Sequence, residues 1–297
     1  MKPHVLPLLL GSLLIVKAAA AAPPPGLDTS RIEERTGAKG AFDAKEGVFK
    51  VSLPRSDLAV TIGGVRMTPP MGLTSWAAFV RAGDQTMVMG DTVMLEDQVN
   101  PVLSVALDNG LEVTALHNHF FWDSPKVMFM HIGGIGDEAT LAAAVGKVFA
   151  RIQETSGGKG ETPRADVDPA HTTLDPARIE SVLGVRGQLA AGVYKLTIGR
   201  TVSMHGHDVG GAMGVNTWAA FVGSDEAAVV DGDFAVLETE LQDVLKALRS
   251  GNVSIVAIHQ HMTLEQPRMM FLHYWGAGPT ATLAKTLRAA LDKTRHE

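Results

Sequence analysis

The sequence predicts an α+β protein made of two homologous repeats, each a mainly antiparallel sheet with helices packed on one face. Three observations carry this reading. Segments of the first half recur in the second at a constant offset of 142 residues: Trp76-Ala77-Ala78-Phe79 matches Trp218-Ala219-Ala220-Phe221, Gly90-Asp91 matches Gly232-Asp233, and Leu95-Glu96 matches Leu237-Glu238. Within each copy the hydrophobic pattern runs in the order strands, helix, two short strands, helix. A hydrophobic content of 45% over 297 residues is enough to fill substantial cores.

Taken in order, residues 1–22 read as a secretory signal: Lys2, an apolar run from Val5 to Val16, then Lys17 and five alanines ending in an Ala-x-Ala cleavage site. The run is too short to span a bilayer. Residues 23–30 form a Pro-rich spacer, 31–154 the first repeat, 155–175 a Gly- and Pro-rich solvated linker, and 176–297 the second repeat. Strands are expected near Val48 to Leu53, Ala59 to Ile62, Trp76 to Val80 and Thr86 to Met89. In the second copy a helix follows with Leu241, Val244, Leu245 and Leu248 on one face, Thr239 and Gln242 as a capping box, and Gly251 as its stop. In the first copy Asn100-Pro101 reads as N-cap and N1. The terminal helices present Leu141, Val145 and Phe149 in one copy and Leu283, Leu287 and Leu291 in the other.

Between middle and terminal helix lies the stretch that carries chemistry. His117, His119 and His131 recur as His259, His261 and His273, six of the chain's 11 histidines. A hairpin centred on Ser124 sets His117 opposite His131 and places all three imidazoles on one face, and the copy centred on Gln266 does the same. Across 117–134 and 259–276 only seven of 18 positions agree, and three of those are the histidines. Three imidazoles suit a divalent transition metal, Zn or Cu, with a position left open for water or a small polar ligand. Asp123 and Glu265 follow the second histidine of each copy by four residues and are candidate general bases.

The other recurring residues have structural readings. Met128, Met130 and Met270 fall on the face away from the histidines and are expected in the core, with Met269 on the histidine face. Trp76 and Trp218 are expected in the core, Asp91 and Asp233 in turns or caps, and Glu96 and Glu238 at a helix start. Trp122 and Trp275 are candidate pocket walls. Met204-His205-Gly206-His207-Asp208 reads as a flexible polar loop present in the second copy alone.

Without residues 1–22 the chain has 24 basic against 32 acidic residues, so nucleic acid is excluded as a partner. The absence of cysteine excludes thiol catalysis, thiolate metal sites, disulfides and lipid attachment at a cysteine. The expected location is therefore periplasmic or secreted, with no transmembrane span in the mature chain.

The runs Gly72-Leu73-Thr74-Ser75-Trp76-Ala77-Ala78-Phe79, Thr114-Ala115-Leu116-His117-Asn118-His119 and Pro267-Arg268-Met269-Met270-Phe271-Leu272-His273-Tyr274-Trp275 resemble the LppY/LpqO family of exported proteins. The resemblance covers nearly the whole mature chain. It implies a duplicated domain of uncharacterised function and supplies no catalytic residues; the family's lipoprotein cysteine is missing here. Three functional classes follow: an exported protein binding a metal ion or small polar ligand, a metal-assisted hydrolase using Glu265 or Asp123, and an envelope interaction module without chemistry.

Overall fold

The computed structural model describes residues 26–160 and 162–294, so the signal segment lies outside the described residues. The first repeat contains α1 (Thr29–Thr36), β1 (Lys39–Asp43), β2 (Val48–Pro54), β3 (Thr61–Ile62), β4 (Val65–Arg66), β5 (Thr74–Ala82), β6 (Gln85–Leu95), α2 (Val99–Asp108), β7 (Glu112–His117), β8 (Asp123–Ser124), β9 (Val127–Gly136) and α3 (Glu138–Glu154). The second contains α4 (Pro176–Leu183), β10 (Gln188–Ala190), β11 (Val193–Gly199), β12 (Val202–Met204), β13 (His207–Val209), β14 (Asn216–Gly223), β15 (Ala228–Leu237), α5 (Leu241–Ser250), β16 (Ser254–His259), β17 (Met269–Gly278) and α6 (Thr280–Leu291). The class is α+β with antiparallel pairing throughout. Among the described residues no helix is long and apolar enough to cross a membrane.

The two repeats form one sheet. Its 12 strands run β1-β2-β5-β6-β9-β7-β16-β17-β15-β14-β11-β10, an order that reads the same from either edge once the copies are exchanged. The seam is the antiparallel pair β7 and β16, joined at Leu116 and Ile258. Both seam strands carry a bulge at the same place, between Val113 and Ala115 and between Ile255 and Ala257. A bulge leaves backbone groups out of the ladder. Here a side chain of the other repeat takes them: Gln242 accepts from the Val113 amide at 2.9 Å and donates to its carbonyl at 2.9 Å. Asn100 does the same for Ile255, at 2.8 and 3.2 Å. These side chains were expected to cap their own helices; neither α2 nor α5 has a side-chain cap, because both amides reach across the seam instead.

Side-chain parity divides the sheet. Leu116, Met130, Ile132, Ile258, Met270 and Leu272 share one core with the buried faces of the six helices, including Leu141, Val145 and Phe149 of α3 and Leu283, Leu287 and Leu291 of α6. Phe129 and Phe271 belong to two smaller clusters of the opposite parity, covered by chain from 58–73 and 202–215. Met269 sits in the second of these, as its parity requires. The covering segments are pinned by equivalent pairings, Thr61 with Ser124 in one repeat and Ser203 with Gln266 in the other. The loop read as polar and flexible is therefore the ordered hairpin β12–β13, with His205 at φ 52° and Gly206 at φ 81° in the places that Gly63 and Gly64 fill at φ 55° and 83°. Such turns need positive φ at both central residues. The linker is anchored as well: Leu174 is buried in the main core and Thr173 donates to the Gly223 carbonyl at 2.8 Å.

Gly90 and Gly232 are mid-strand residues, and so are Asp91 and Asp233, which had been expected in turns or caps. The glycines allow close approach. The buried Tyr274 side chain crosses Gly232 to donate to the Trp218 carbonyl at 3.0 Å, and a Cβ on Gly232 would clash with that hydroxyl and with the Trp218 carbonyl. Gly232→Ala is expected to destabilise the protein by about 2 kcal/mol or more in urea denaturation, since overpacking a filled interior costs about 1–3 kcal/mol. Asn100→Ala and Gln242→Ala each leave two backbone groups unpaired and should cost about 1–3 kcal/mol per group where burial persists. Unfolding of the unaltered chain is expected to be one cooperative transition, and separate transitions for the two repeats would show that the seam does not unite them.

Candidate functional site

Each histidine cluster stands on the parity opposite the helices. The ladder puts His117 opposite Phe129 and His131 opposite Ala115, and in the second copy His259 opposite Phe271 and His273 opposite Ala257. The expected register, His117 opposite His131, is thus wrong by two residues. Its cause is the turn: residues 118–126 form no tight hairpin, because β8 pairs with β3. A slip of two preserves parity, so the three rings still meet. Ring centroids are 5.1 Å apart for His117 and His119 and 5.2 Å for His117 and His131; the second copy gives 5.1 Å for His259 and His261 and 4.9 Å for His259 and His273. His119 and His261 lie flat on Phe129 and Phe271 at 3.4 and 3.5 Å, which fixes the ring planes.

The acid beside the rings was missed in sequence. Asp91 pairs with His131 and Asp233 with His273 on the neighbouring strand. The carboxylates lie 3.9 Å from His119 Nε2 and 3.6 Å from His261 Nε2. Their recurrence after a glycine was visible, but the parity that joins them to the histidines requires the pairing of β6 with β9. Asp91 Oδ1, Asp233 Oδ1 and His259 Nε2 are all buried without a hydrogen-bond partner. In a native structure such atoms need an explanation.

Electrostatics follow from that burial. Desolvation pushes the Asp233 carboxyl up to about 6, with the charge of His273 opposing, and raises Asp91 against the pull of His131, His119 and His117. Burial lowers His119, His259 and His261, keeping the rings neutral. Neutral imidazole is the form that ligates metals. Asp233, His259 and His261 each offer a ligand atom, all within 4.8 Å of one another, so this group can hold a metal ion. Among the described residues it is the one such group; His273 is in ring contact with it, and the first copy is looser.

The remaining candidates sit elsewhere. Asp123 accepts from the Val127 amide at 2.8 Å and Glu265 from the Met269 amide at 3.0 Å, so both acids brace the turn below their cluster. Trp76 and Trp218 are not core residues: they pair with Asp91 and Asp233, half-buried, with Lys50 and Lys195 over their rings at 4.0 and 4.3 Å. The alternation that buries Ala77 and Phe79 turns the indoles the other way. Trp122 is 84% exposed at the turn, and His205 and His207 are absent from the metal-competent group.

Compared with known families, residues 30–151 and 177–293 match the model of Domain of Unknown Function (DUF1259). The chain belongs to this family. It holds two copies of the DUF1259 domain, and each copy carries one histidine cluster with its aspartate. No curated protein and no solved structure matches the chain.

An ionised Asp233 is costly in the metal-free fold. A raised carboxyl pKa means that the cost is absent below the unfolded value near 4 and complete above about 6. Asp233→Asn is therefore expected to raise the melting temperature of chelator-treated protein at pH 8, with the gain shrinking toward zero as the pH falls below 4. Equal melting at all pH values would show that the carboxylate is not strained.

Proposed function

We propose that this chain is an exported binding protein, periplasmic or secreted, that holds a divalent transition metal, Zn(II) or Cu(II), on Asp233, His259 and His261, with His273 as the adjoining fourth ligand. The observation that carries this reading is the pair of buried, unpartnered atoms, Asp233 Oδ1 and His259 Nε2, within a group whose ligand atoms lie within 4.8 Å. A bound cation satisfies both and offsets the cost of burying the carboxylate. Nitrogen and carboxylate donors without thiolate favour Zn(II) and Cu(II) over softer ions. His261 keeps 34% of its side chain exposed, which leaves a path for the ion and a position for water or a small polar ligand.

Binding is favoured over hydrolysis because Asp123 and Glu265, the acids proposed as general bases, are engaged by turn amides. It is favoured over an interaction module without chemistry because that reading needs every imidazole satisfied by protein, and His259 Nε2 is not. Metal analysis of tag-free protein followed by calorimetry with Zn(II) and Cu(II) tests the proposal. Asp233→Asn and His259→Ala are expected to weaken the tightest site by at least about tenfold, the scale on which supporting groups of metal ligands act. Glu265→Ala should leave affinity within about twofold while lowering stability by about 1 kcal/mol through its lost turn bond. Unchanged metal affinity in both ligand variants refutes the proposal.

A further inference from the structure

The first repeat carries soft donors that the second lacks. Along β6, Met87 and Met89 have the same parity as Asp91, so they lie on the histidine face. They are 38% and 60% exposed, and both line a cavity of about 490 Å³ that also includes His131. Exposed methionines clustered at a cavity are informative, because most large apolar side chains of this kind are covered. Gly133 faces Met89 across the ladder and leaves the floor of the cavity open. In the second repeat the equivalent positions are Val229 for Met87, Asp231 for Met89 and Trp275 for Gly133. The thioethers and the space beside them are therefore features of one copy, on a face that both copies otherwise share.

We propose that Met89 and His131 hold a second metal ion, a soft monovalent cation such as Cu(I), with Met87 beside Met89 on the same strand face of that cavity. Thioether sulfur is a soft ligand that prefers Cu(I) to Zn(II), and imidazole accepts either. Met89 and His131 are diagonal neighbours across β6 and β9, a separation that a flexible thioether and an imidazole can bridge to one ion, whereas Met87 lies opposite Ile135, two residues further from His131 along the strand. His131 lies one strand away, diagonal to Met89 and directly opposite Asp91. With no cysteine in the chain, these methionines are the soft donors available at the cluster. The site does not depend on the metal reading of the second repeat.

Ag(I), which shares the ligand preference of Cu(I) and does not change oxidation state under ordinary conditions, is the probe. In full-length protein labelled at the methionine methyl groups, two methyl resonances are expected to shift on addition of Ag(I). Both should be missing in the Met87→Leu, Met89→Leu variant, whose side chains are exposed and near-isosteric, and its Ag(I) affinity should fall at least tenfold. His131→Ala weakens Ag(I) binding too. His259→Ala, which removes a ligand of the second repeat, should lower Zn(II) affinity and leave these two shifts in place, so failure of one site is distinguishable from failure of the other. Ag(I) affinity in the double leucine variant within twofold of the unaltered protein, or shifts confined to other methionines, overturns the proposal.

Discussion

The reciprocal grip of Asn100 and Gln242 across the seam is the interaction on which the architecture rests. Each amide supplies one donor and one acceptor to a bulged strand of the opposite repeat, replacing the ladder bonds that the bulge removes. A seam strand with an unpaired edge is an aggregation hazard, and continuing the sheet through β7 and β16 removes that edge from both copies. The geometry also explains the bulges themselves. Beyond the bulge the strand continues with Ala115 and His117, or Ala257 and His259, on the face away from the helices, so the site-bearing ends of both seam strands are set by the same local irregularity.

Strand residues of the parity opposite the main core need cover of their own. Here short hairpins supply part of it, each pinned to the loop that follows His119 or His261. Phe129 and Phe271 then serve two purposes: they anchor the small second cores, and their rings hold His119 and His261 flat. Aromatic stacking of this kind restricts the imidazole planes. The aspartates enter from the outer strands β6 and β15, which the same core holds in register. Burying a carboxylate is unfavourable in isolation. The fold tolerates it because each aspartate sits in the middle of a ten-residue or longer ladder, where it cannot move out to water without breaking strand pairing.

Much of this was legible in the residues. The duplication, the helix faces, the assignment of Met128, Met130 and Met270 to the helix side and the convergence of His117, His119 and His131 all follow from periodicity, which local sequence records. Parity survived an error in register because the error was even. What could not be read was every feature that depends on which strand lies beside which. Asp91 and Asp233 join the clusters through pairing of β6 with β9 and β15 with β17, and nothing near them in sequence announces it. Gln242 looks like a helix cap because its spacing from Thr239 fits one; the competing backbone of Val113 lies 129 residues away. Trp76 and Trp218 look like core residues by composition, and only the burial of their neighbours Ala77 and Ala219 shows that they point outward.

The two clusters share a design and differ in closure. In the second repeat Asp233 is 2% exposed against 8% for Asp91, its carboxylate is nearer the partner imidazole, and Gly214 of the covering chain lies against His261. The first repeat has Gly133 where the second has Trp275, so its sheet face is open beside the cluster. Burial strengthens electrostatic attraction between a cation and the carboxylate, and openness admits larger or softer donors. One copy thus presents an enclosed set of oxygen and nitrogen donors, Asp233, His259 and His261, that could hold a metal ion. The other has given up enclosure for room, and the exposed thioethers of Met87 and Met89 stand where the second repeat presents Val229 and the hard acid Asp231. A duplicated scaffold permits that divergence without cost to the fold, because the residues that changed project from the sheet while those that hold the seam, Asn100 and Gln242, kept the same bonds.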